Sequence, residues 1–506
     1  MKVSRQALLD KLPNFLKQQR WFGGKARGLR SLDILDSIPM WDERVTADLV
    51  LVDVHYADQY PDETYAVPLL PGDELRDALR EPAFLTLLLR SIERGRLFEG
   101  ERGDLFASPS SAYRSDGTRG DLRARLVAGE QSNSSVIFED RYILKLLRQV
   151  GEGLNPELEI GTFLTERARF QHVPAVTGSM LYRGHEGSVR TLGILQSFVA
   201  NQGNAWEYTL QELADYFARA AQSGTQTGST AQASSRSNEA NPADEQLGSY
   251  PQAADLLGRR TGELHLALAS DPNDPEFAPE QFSEPYRELF RRSAVEQCER
   301  VLQTLERQAG QLPPNAVASA RKVHDLRPAI EDRLRSFGTG GADGGGRIRI
   351  HGDYHLGQVL RAGGDFVIID FEGEPARPLA ERRAKQSPLQ DVAGMLRSFH
   401  YASVKGMRDW FAASGTETNG ACDAPAVADW QSRASFWKDA VSRRFLNAYL
   451  ATADTGRFLP GSAAGARNLL DAYLLSKAVY ELGYELNNRP DWVIIPLSGI
   501  LDIMVR

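Results

Sequence analysis

The feature that most constrains the fold is a polar turn that is followed by a strand ending in an acid. The turn is the stretch HGDYHLGQ, residues 351–358, in which Asp353 and Gln358 lie five positions apart. A glycine-rich turn then leads into FVIID, an apolar segment that ends at Asp370. The two acids and the amide therefore flank a short strand pair, a compact arrangement that few folds require.

Phosphoryl transfer from ATP needs an acid for the acceptor hydroxyl, oxygen ligands for Mg²⁺, a phosphate-binding lysine and a backbone loop over the phosphates. Protein kinases supply the first two with the motifs H-R-D-x-x-x-x-N and D-F-G. Here HGDYHLGQ has the acid and the amide at the same spacing, and IDFEG has an aspartate in the place of the DFG acid. Asp353 alone is consistent with a helix N-cap, and Asp370 alone with an ordinary strand-end turn. Together with Gln358 they predict an ATP-dependent phosphotransferase.

A lysine upstream has the setting of a phosphate contact. In RYILKLLR, Lys145 shares a strand face with Ile143 and Leu147, so its ammonium has to be paired or reach solvent. An edge-strand lysine is one interpretation, and a phosphate-binding lysine on the third strand of a small lobe is the other. In the second case an acid on the next helix is its partner, and we expect Glu159 rather than Glu157.

Two further segments are suited to a nucleotide. AGEQSNSS, residues 128–135, precedes Lys145, and we expect it to cover the phosphates, although a polar hairpin turn fits the segment alone equally well. LQSFV, residues 195–199, is expected to connect two lobes and to offer backbone groups to the adenine edge. The residues assigned to the nucleotide are Lys145, Glu159, Ser132, Asn133, Ser134, Ser135, Gln196, Ser197 and Val199.

The order of elements predicts an α+β chain with three parts. Residues 1–110 form a mixed N-terminal part, residues 111–200 a strand-rich small lobe, and residues 201–506 a helical large lobe. Alternating apolar positions indicate the strands, and Asn155 followed by Pro156 indicates a helix start. Residues 222–252 are poor in apolar side chains and rich in Ser, Gln, Thr and Ala, so we expect a disordered insertion there.

The composition excludes several classes of protein. The chain has 506 residues, a net charge of −8 and 42% hydrophobic residues, which indicates a globular protein that does not bind nucleic acid. Cys298 and Cys422 lie far apart, so neither a disulfide framework nor a zinc site is expected. There is no apolar run of about 18 residues and no signal-peptide pattern, so we expect no membrane span and a cytoplasmic location.

The sequence resembles bacterial maltokinases, in particular the form that is fused to trehalose synthase. The resemblance covers nearly the whole chain and rests on long motifs, among them FLKQQRWFGGKAR, GEQSNSSVIFEDRYILKLLR, HGDYHLGQVL and YELGYELNNRPDWVIIPLSGI. It implies a bilobal, protein-kinase-like fold of the aminoglycoside phosphotransferase type with an additional N-terminal cap. The implied reaction transfers phosphate from ATP to the anomeric hydroxyl of maltose, which links trehalose and maltose to glycogen or α-glucan synthesis.

The resemblance also implies roles for individual residues. Asp353 is implied as the catalytic carboxylate and Lys145 as a phosphate contact. Gln358 and Asp370 are implied as Mg²⁺ ligands, with Glu372 as a further ligand. The acceptor is implied between the catalytic loop and the C-terminal helices, where a core aromatic stripe is the alternative interpretation of the tyrosines. The residues assigned to the acceptor are His355, Tyr401, Tyr480, Glu481, Tyr484 and Trp492.

Two alternatives to this function remain open. Glucosamine kinases and other sugar kinases share the scaffold, so another acceptor such as glucosamine is the main alternative. An inactive kinase fold that serves trehalose synthase as a binding subunit is less consistent, because the lysine, the acid and the metal ligands are all present. The chain carries no synthase domain, so we expect any association with trehalose synthase to occur in trans.

Overall fold

The structure, a computed structural model, describes residues 5–57, 61–114, 122–127, 132–222, 246–337, 345–375, 377–414 and 424–505. The chain divides into two compact units. The first unit comprises Met1–Ala200 and Glu374–Arg383, and the second comprises Asn201–Gly373 and Ala384–Arg506. None of the described helices is long and apolar enough to cross a lipid bilayer.

The first unit begins with a helix and a four-stranded antiparallel sheet. They are α1 (Arg5–Gln18), β1 (Leu29–Trp41), β2 (Thr46–Tyr56), β3 (Glu63–Leu70) and β4 (Arg76–Asp77), with the strands in sequential order. Strand β2 is buried on both faces. Val50, Val52 and Val54 pack in one core with α1, while Leu49 and Leu51 belong to a second core. This double burial explains why β2 is an almost continuous apolar run rather than an alternating one.

A seven-stranded antiparallel sheet follows after helix α2 (Pro82–Glu93). Its strands lie in the order β5-β6-β10-β11-β9-β8-β7. In chain order they are β5 (Leu97–Glu99), β6 (Gly103–Pro109), β7 (Ala124–Leu126), β8 (Asn133–Phe138), β9 (Tyr142–Leu147), β10 (Val176–Gly184) and β11 (Val189–Ser197). Because β6 pairs with β10, the predicted boundary after residue 110 cuts through this sheet.

Local sequence accounts for the turns that shape this sheet. Strands β8 and β9 are joined at Glu139 and Asp140, which both have positive φ angles of 46° and 51°. Two consecutive residues with a left-handed backbone conformation form a turn whose twist matches the twist of two paired antiparallel strands. Helix α3 (Pro156–Thr162) begins as predicted, since the side chain of Asn155 accepts a hydrogen bond of 2.8 Å from the backbone of Glu157.

The second unit is mostly helical. Among the described residues from 201 onward, the α-helices are α4 (Ala205–Gln222), α5 (Tyr250–Leu268), α6 (Glu284–Arg307), α7 (Pro314–Asp325), α8 (Arg327–Arg335), α9 (Leu379–Arg383), α10 (Leu389–Ala413), α11 (Ala424–Ala453), α12 (Ala463–Asn488) and α13 (Ile494–Val505). Helix α9 belongs to the first unit, and the others belong to the second. Phe399 of α10 packs edge to face on Phe445 and Trp437 of α11, with ring centroids 5.6 and 6.5 Å apart. These aromatic contacts pack α10 against α11.

Four short strands complete the second unit. They are β12 (Glu280–Gln281), β13 (Gly346–Arg347), β14 (Val359–Ala362) and β15 (Asp365–Ile368). Strands β14 and β15 form a hairpin closed by Gly363 and Gly364, whose φ angles are 59° and 86°. Only glycine adopts such angles at no steric cost, so the sequence itself determines the tight hairpin.

One predicted segment needs correction. The insertion expected over residues 222–252 is too long at its C-terminal end, because Tyr250–Gln252 form the first turn of α5. Tyr250 is buried, and its hydroxyl lies 2.5 Å from that of Thr209 on α4. The helix forms here despite the polar composition of the preceding segment, because Pro251 suits the first turn of a helix and Tyr250 is buried. Residues 223–245 lie outside the described part of the chain.

Candidate active site

The predicted catalytic turn, residues 351–358, is held by hydrogen bonds from its backbone. Asp391, in the first turn of α10, accepts hydrogen bonds from the backbone N–H groups of His351 (2.8 Å) and Gly352 (2.9 Å) and from Nε2 of His265 (3.1 Å). Asp391 is almost completely buried. Burial opposes its charge, but the hydrogen bond and charge of His265 hold the pKa of Asp391 below its ordinary value. The sequence motifs did not identify Asp391, because it lies outside the segments HGDYHLGQ and IDFEG.

Two glycines allow the close approaches around this turn. Gly352 has a φ angle of 84°, and an added Cβ would meet the Cα of Gly373 at 3.2 Å. On α10, a Cβ at Gly394 would lie 2.6 Å from the carbonyl oxygen of Tyr354. The helix therefore packs directly on the backbone of the turn. His351 is buried and braces the turn, since its Nε2 contacts the carbonyl of Ile369 at 2.9 Å.

Asp353 presents its carboxylate at the tip of this turn. Its side chain is 23% exposed, and its nearest described charged groups are Nζ of Lys477, 3.8 Å from Oδ1, and Nε2 of His355, 3.9 Å from Oδ2. Within the part of the chain that the structure describes, no hydrogen bond engages either carboxylate oxygen. Both oxygens are therefore available to a hydroxyl group.

His355 is fixed as a donor beside Asp353. Its Nδ1 accepts a hydrogen bond of 3.0 Å from the backbone N–H of Gly357, so the ring proton lies on Nε2. Loss of hydration lowers the pKa of His355, and Asp353 offsets this only in part. The neutral ring thus points an N–H group toward the carboxylate and the space in front of it. That geometry suits the sugar contact predicted for His355.

The predicted metal ligands are brought together by the hairpin of β14 and β15. Gln358 precedes β14 and Asp370 follows β15, so the register places them side by side. Nε2 of Gln358 donates to Oδ2 of Asp370 at 2.7 Å. Asp370 has a φ angle of 68°, a left-handed conformation that is uncommon for a residue other than glycine and that is concentrated at functional sites. Glu372 follows two residues later and is half-buried.

In the first unit, Lys145 is paired with Glu157 and not with Glu159. Nζ of Lys145 donates to Oε2 of Glu157 at 2.7 Å, and the two side chains are 17% and 3% exposed. Glu159 instead receives two hydrogen bonds from Arg383 of α9, at 2.7 and 3.0 Å. The expected partner was wrong because the two acids lie on different sides of α3, a separation that i,i+2 spacing produces on any helix.

The residues around Lys145 divide between the two faces of the sheet. Ser135 pairs across the strands with Lys145, so both side chains lie on one face. Ser134 pairs with Leu146 and lies on the other face, where its hydroxyl accepts a hydrogen bond of 2.9 Å from Arg148. The side chain of Ser134 therefore faces away from Lys145, and a phosphate contact through the backbone of Ser134 stays a prediction.

Arg148 connects this strand to the N-terminal sheet. Its Nη2 donates to Oδ2 of Asp77 at 2.6 Å, and its guanidinium lies 4.6 Å above the ring of Trp21. The side chains of Arg148 and Asp77 are only 3% and 8% exposed. We call Arg148, Asp77, Trp21 and Ser134 the arginine clamp. It ties the strand that follows the predicted phosphate loop to residues of β4 and of the loop after α1.

The other residues assigned to the nucleotide lie in different environments. Nε2 of Gln196 donates to Oε1 of Glu157 at 3.3 Å, so Gln196 supports the partner of the lysine. The N–H of Ser197 donates to the carbonyl of Ala175 at 2.9 Å, and the Ser197 hydroxyl accepts from the N–H of Ala175 at 2.9 Å. These two groups of Ser197 are engaged with Ala175, and the adenine contact expected from the backbone of residues 195–199 stays a prediction. Ser132, Asn133 and Val199 are exposed or half-exposed, and residues 128–131 lie outside the described part.

The predicted acceptor residues form two groups on α12 and its neighbours. Tyr480 lies with Lys477, whose Nζ is 5.0 Å from the centre of the tyrosine ring, and Lys477 in turn reaches Asp353. Glu481 instead accepts a hydrogen bond of 2.8 Å from Nε of Arg397, and both side chains are nearly buried. One oxygen of Glu481 is therefore already committed to a structural pair.

The second group is an aromatic and ionic cluster. Tyr401 stacks on Trp492 with ring centroids 6.1 Å apart, and its hydroxyl donates to Glu485 at 3.0 Å. Arg489 lies over the rings of both Trp492 and Tyr484, at 5.1 and 5.4 Å. Tyr484 is 47% exposed. Tyr480 and Tyr484 lie four positions apart on α12, and one ring lies beside Lys477 whereas the other belongs to this outer cluster.

Comparisons with known proteins identify the family of this chain. Residues 15–100 match the maltokinase N-terminal cap domain, and residues 123–413 match the phosphotransferase enzyme family. A glucosamine kinase from Mycolicibacterium smegmatis is 27% identical over 390 residues, which cover 75% of this chain and 79% of that protein. One from Streptacidiphilus jiangxiensis is 32% identical over 163 residues, so this chain matches only 32% of its length.

Solved structures show the same fold. A glucosamine kinase in complex with glucosamine, ADP and inorganic phosphate has a TM-score of 0.63 and 19% identity, and the match covers 99% of both chains. A second structure of a glucosamine kinase has the same TM-score and identity over 100% of both chains. This likeness establishes the α+β, kinase-like fold with an N-terminal cap.

Proposed function

Because the chain belongs to the phosphotransferase enzyme family and carries a maltokinase N-terminal cap domain, we propose that it is an ATP-dependent maltokinase. The acceptor oxygen is the anomeric hydroxyl of maltose, and the products are maltose 1-phosphate and ADP. The observation that carries the proposal is the open carboxylate of Asp353 on a braced turn, with His355 as a neutral donor beside it. This pair is suited to orienting a sugar hydroxyl.

In the proposed reaction the acceptor oxygen bonds to the γ-phosphorus while the bond to the oxygen between the β- and γ-phosphates breaks. The hydroxyl proton passes to the carboxylate of Asp353. An anomeric hydroxyl is more acidic than an ordinary alcohol, so orientation contributes more than basicity. Lys145, held by Glu157, supplies a cation for the phosphates.

The donors at the hairpin fit a magnesium ion. Gln358 has an amide oxygen, and Asp370 and Glu372 have carboxylate oxygens, while the amide N–H of Gln358 donates to Asp370. Oxygen ligands of this kind are those that Mg²⁺ prefers. When bound, Mg²⁺ neutralises charge on the β- and γ-phosphates. We propose that Gln358, Asp370 and Glu372 hold it.

A second candidate acceptor is glucosamine, because the relatives named above are glucosamine kinases. An acceptor panel separates the two. Purified protein with ATP is tested on maltose, glucose, glucosamine and other sugars, and the phosphorylated carbon is located by NMR. Phosphate on C1 of maltose is the expected result. Inert maltose together with phosphorylated glucosamine contradicts the maltokinase assignment.

The role of Asp353 is tested in the same assay with Asp353→Asn. Turnover is expected to fall by about 10² to 10⁴, the range for loss of a positioned acid or base, while ATP still binds. Asp409→Asn is the matched control, because Asp409 pairs with Lys405 on the exposed face of α10. Turnover of Asp353→Asn close to that of the control contradicts the assignment.

A further inference from the structure

We propose that Lys477 is a specificity-determining residue that makes the acceptor site favour uncharged sugars over amino sugars. The inference rests on the proposed function in two respects, namely that Asp353 faces the acceptor hydroxyl and that this hydroxyl is the anomeric one. The sequence motifs gave Lys477 no role, since it lies on α12, more than a hundred positions beyond the catalytic turn. The structure nonetheless places its ammonium 3.8 Å from Oδ1 of Asp353.

The position of Lys477 is fixed by the helix that carries it. Leu474, Leu475 and Ala478 on α12 are buried, which sets the direction in which the intervening side chain points. Lys477 itself is 30% exposed, and its ammonium also lies 5.0 Å from the centre of the Tyr480 ring, one turn further along the helix. The ammonium therefore lies between the carboxylate of Asp353 and the aromatic face of Tyr480.

This cation changes what Asp353 can attract. A bare carboxylate at an acceptor site attracts both hydroxyl groups and ammonium groups, and it attracts the charged group more strongly. With Lys477 beside it, the pair has little net charge, so the advantage of an ammonium group is cancelled. The remaining attraction is hydrogen bonding, which a hydroxyl provides equally well.

The size of the effect follows from the distances. Since Nζ of Lys477 lies 3.8 Å from Oδ1 of Asp353, we expect a separation of about 6 Å between Lys477 and an amino group on the carbon next to the reacting carbon. Two like charges about 6 Å apart in a medium of effective dielectric constant about 20 disfavour binding by about a hundred-fold. Partial exposure of Lys477 reduces this value, so we expect a discrimination of about ten-fold or more.

The experiment compares glucose with glucosamine, two acceptors that differ only in the amino group. Values of kcat/KM are measured for both sugars with the full chain, with Lys477→Gln and with a matched control, Lys438→Gln. Lys438 also pairs with a carboxylate, since its Nζ lies 2.9 Å from Asp502, but it belongs to α11. Binding of both sugars in the presence of ADP is measured by calorimetry, which does not depend on turnover.

The ratio of glucosamine to glucose is expected to rise about ten-fold or more in Lys477→Gln and to stay unchanged in Lys438→Gln. An unchanged ratio in Lys477→Gln overturns the inference, as does an equal rise in both variants. The maltose result stands apart from this ratio. If maltose is inert but the ratio of glucosamine to glucose rises in Lys477→Gln, the maltokinase proposal fails and the inference on Lys477 holds. If maltose is phosphorylated and this ratio is unchanged, the maltokinase proposal holds and the inference on Lys477 fails.

Discussion

Replacement of Glu157 by glutamine is the sharpest test of the nucleotide half of the site. The change keeps the shape of the side chain and removes its charge. Glu157 accepts a hydrogen bond of 2.7 Å from Lys145 and one of 3.3 Å from Gln196, and its side chain is 3% exposed. The substitution therefore removes a buried, charge-assisted contact to the predicted phosphate lysine.

The magnitude follows from that contact. A hydrogen bond between charged groups contributes about 1.5 to 3 kcal/mol, and each 1.4 kcal/mol corresponds to about ten-fold in a rate. If the pair positions Lys145 for the phosphates, kcat/KM for ATP falls by about ten-fold to about 150-fold in Glu157→Gln. Sugar binding is expected to change little, because Asp353 and its brace lie in the second unit.

Glu159→Gln is the control that the chain itself offers. It is the same chemical change two residues along α3, at an acid that pairs with Arg383 instead of Lys145. Arg383 is 31% exposed, so this pair contributes about 1 kcal/mol or less to stability. We expect kcat/KM for ATP to stay within about three-fold of the wild type in this variant.

Initial rates of ADP release are measured with ATP varied at a saturating acceptor concentration. Thermal unfolding of both variants confirms that each is folded under the assay conditions. Equal losses in the two variants refute the reasoning, because they show that the Lys145–Glu157 contact has no special part in the reaction. A larger loss of kcat/KM for ATP in Glu159→Gln than in Glu157→Gln would favour Glu159, the partner of Lys145 that we expected from the sequence.

The other predictions concern the brace of the catalytic turn. Asp391→Asn is expected to destabilise the protein by about 3 kcal/mol or more at neutral pH, since it breaks a buried pair with His265. Because the folded pKa of Asp391 lies below the unfolded value of about 3.9, this stability is present above that pH and is lost as the pH falls through the folded pKa. Urea unfolding of the wild type and of Asp391→Asn from pH 7 to pH 3 measures the difference in their free energies of unfolding. A difference that grows as the pH falls contradicts this prediction. Gly394→Ala is expected to cost about 1 to 3 kcal/mol and to lower kcat, because its Cβ would press on the carbonyl of Tyr354 at 2.6 Å; Gly310→Ala, which meets no atom within 4 Å, is the control.

The sequence predicted the parts of the site that are set by short-range spacing. Asp353, Gln358 and Asp370 were found because the turn and the hairpin that follows it lie within twenty residues, and two glycines allow only one way to close the hairpin. The start of α3 was found for the same reason, since Asn155 caps the helix through its immediate neighbours. Local chemistry decides such features without the rest of the chain.

The parts that escaped prediction depend on contacts between distant segments. The choice between Glu157 and Glu159 depends on which side of α3 faces β9, and acidic residues in a first helical turn are common for another reason, the helix dipole. Asp391 lies 38 positions after Asp353 and carries the same first-turn signal, so nothing local marks it as the brace of the catalytic turn. Lys477 is further still, and only the packing of α12 brings it to Asp353.

The arginine clamp limits where this chain can be divided. Arg148 follows the strand of the predicted phosphate lysine, whereas Asp77 and Trp21 belong to the N-terminal cap, yet the three share one buried set of contacts. A chain trimmed to residues 123–413 would keep the arginine and lose its carboxylate and its aromatic cover. A guanidinium without its charge partner would then remain, so we expect the trimmed chain to be less stable than the full chain.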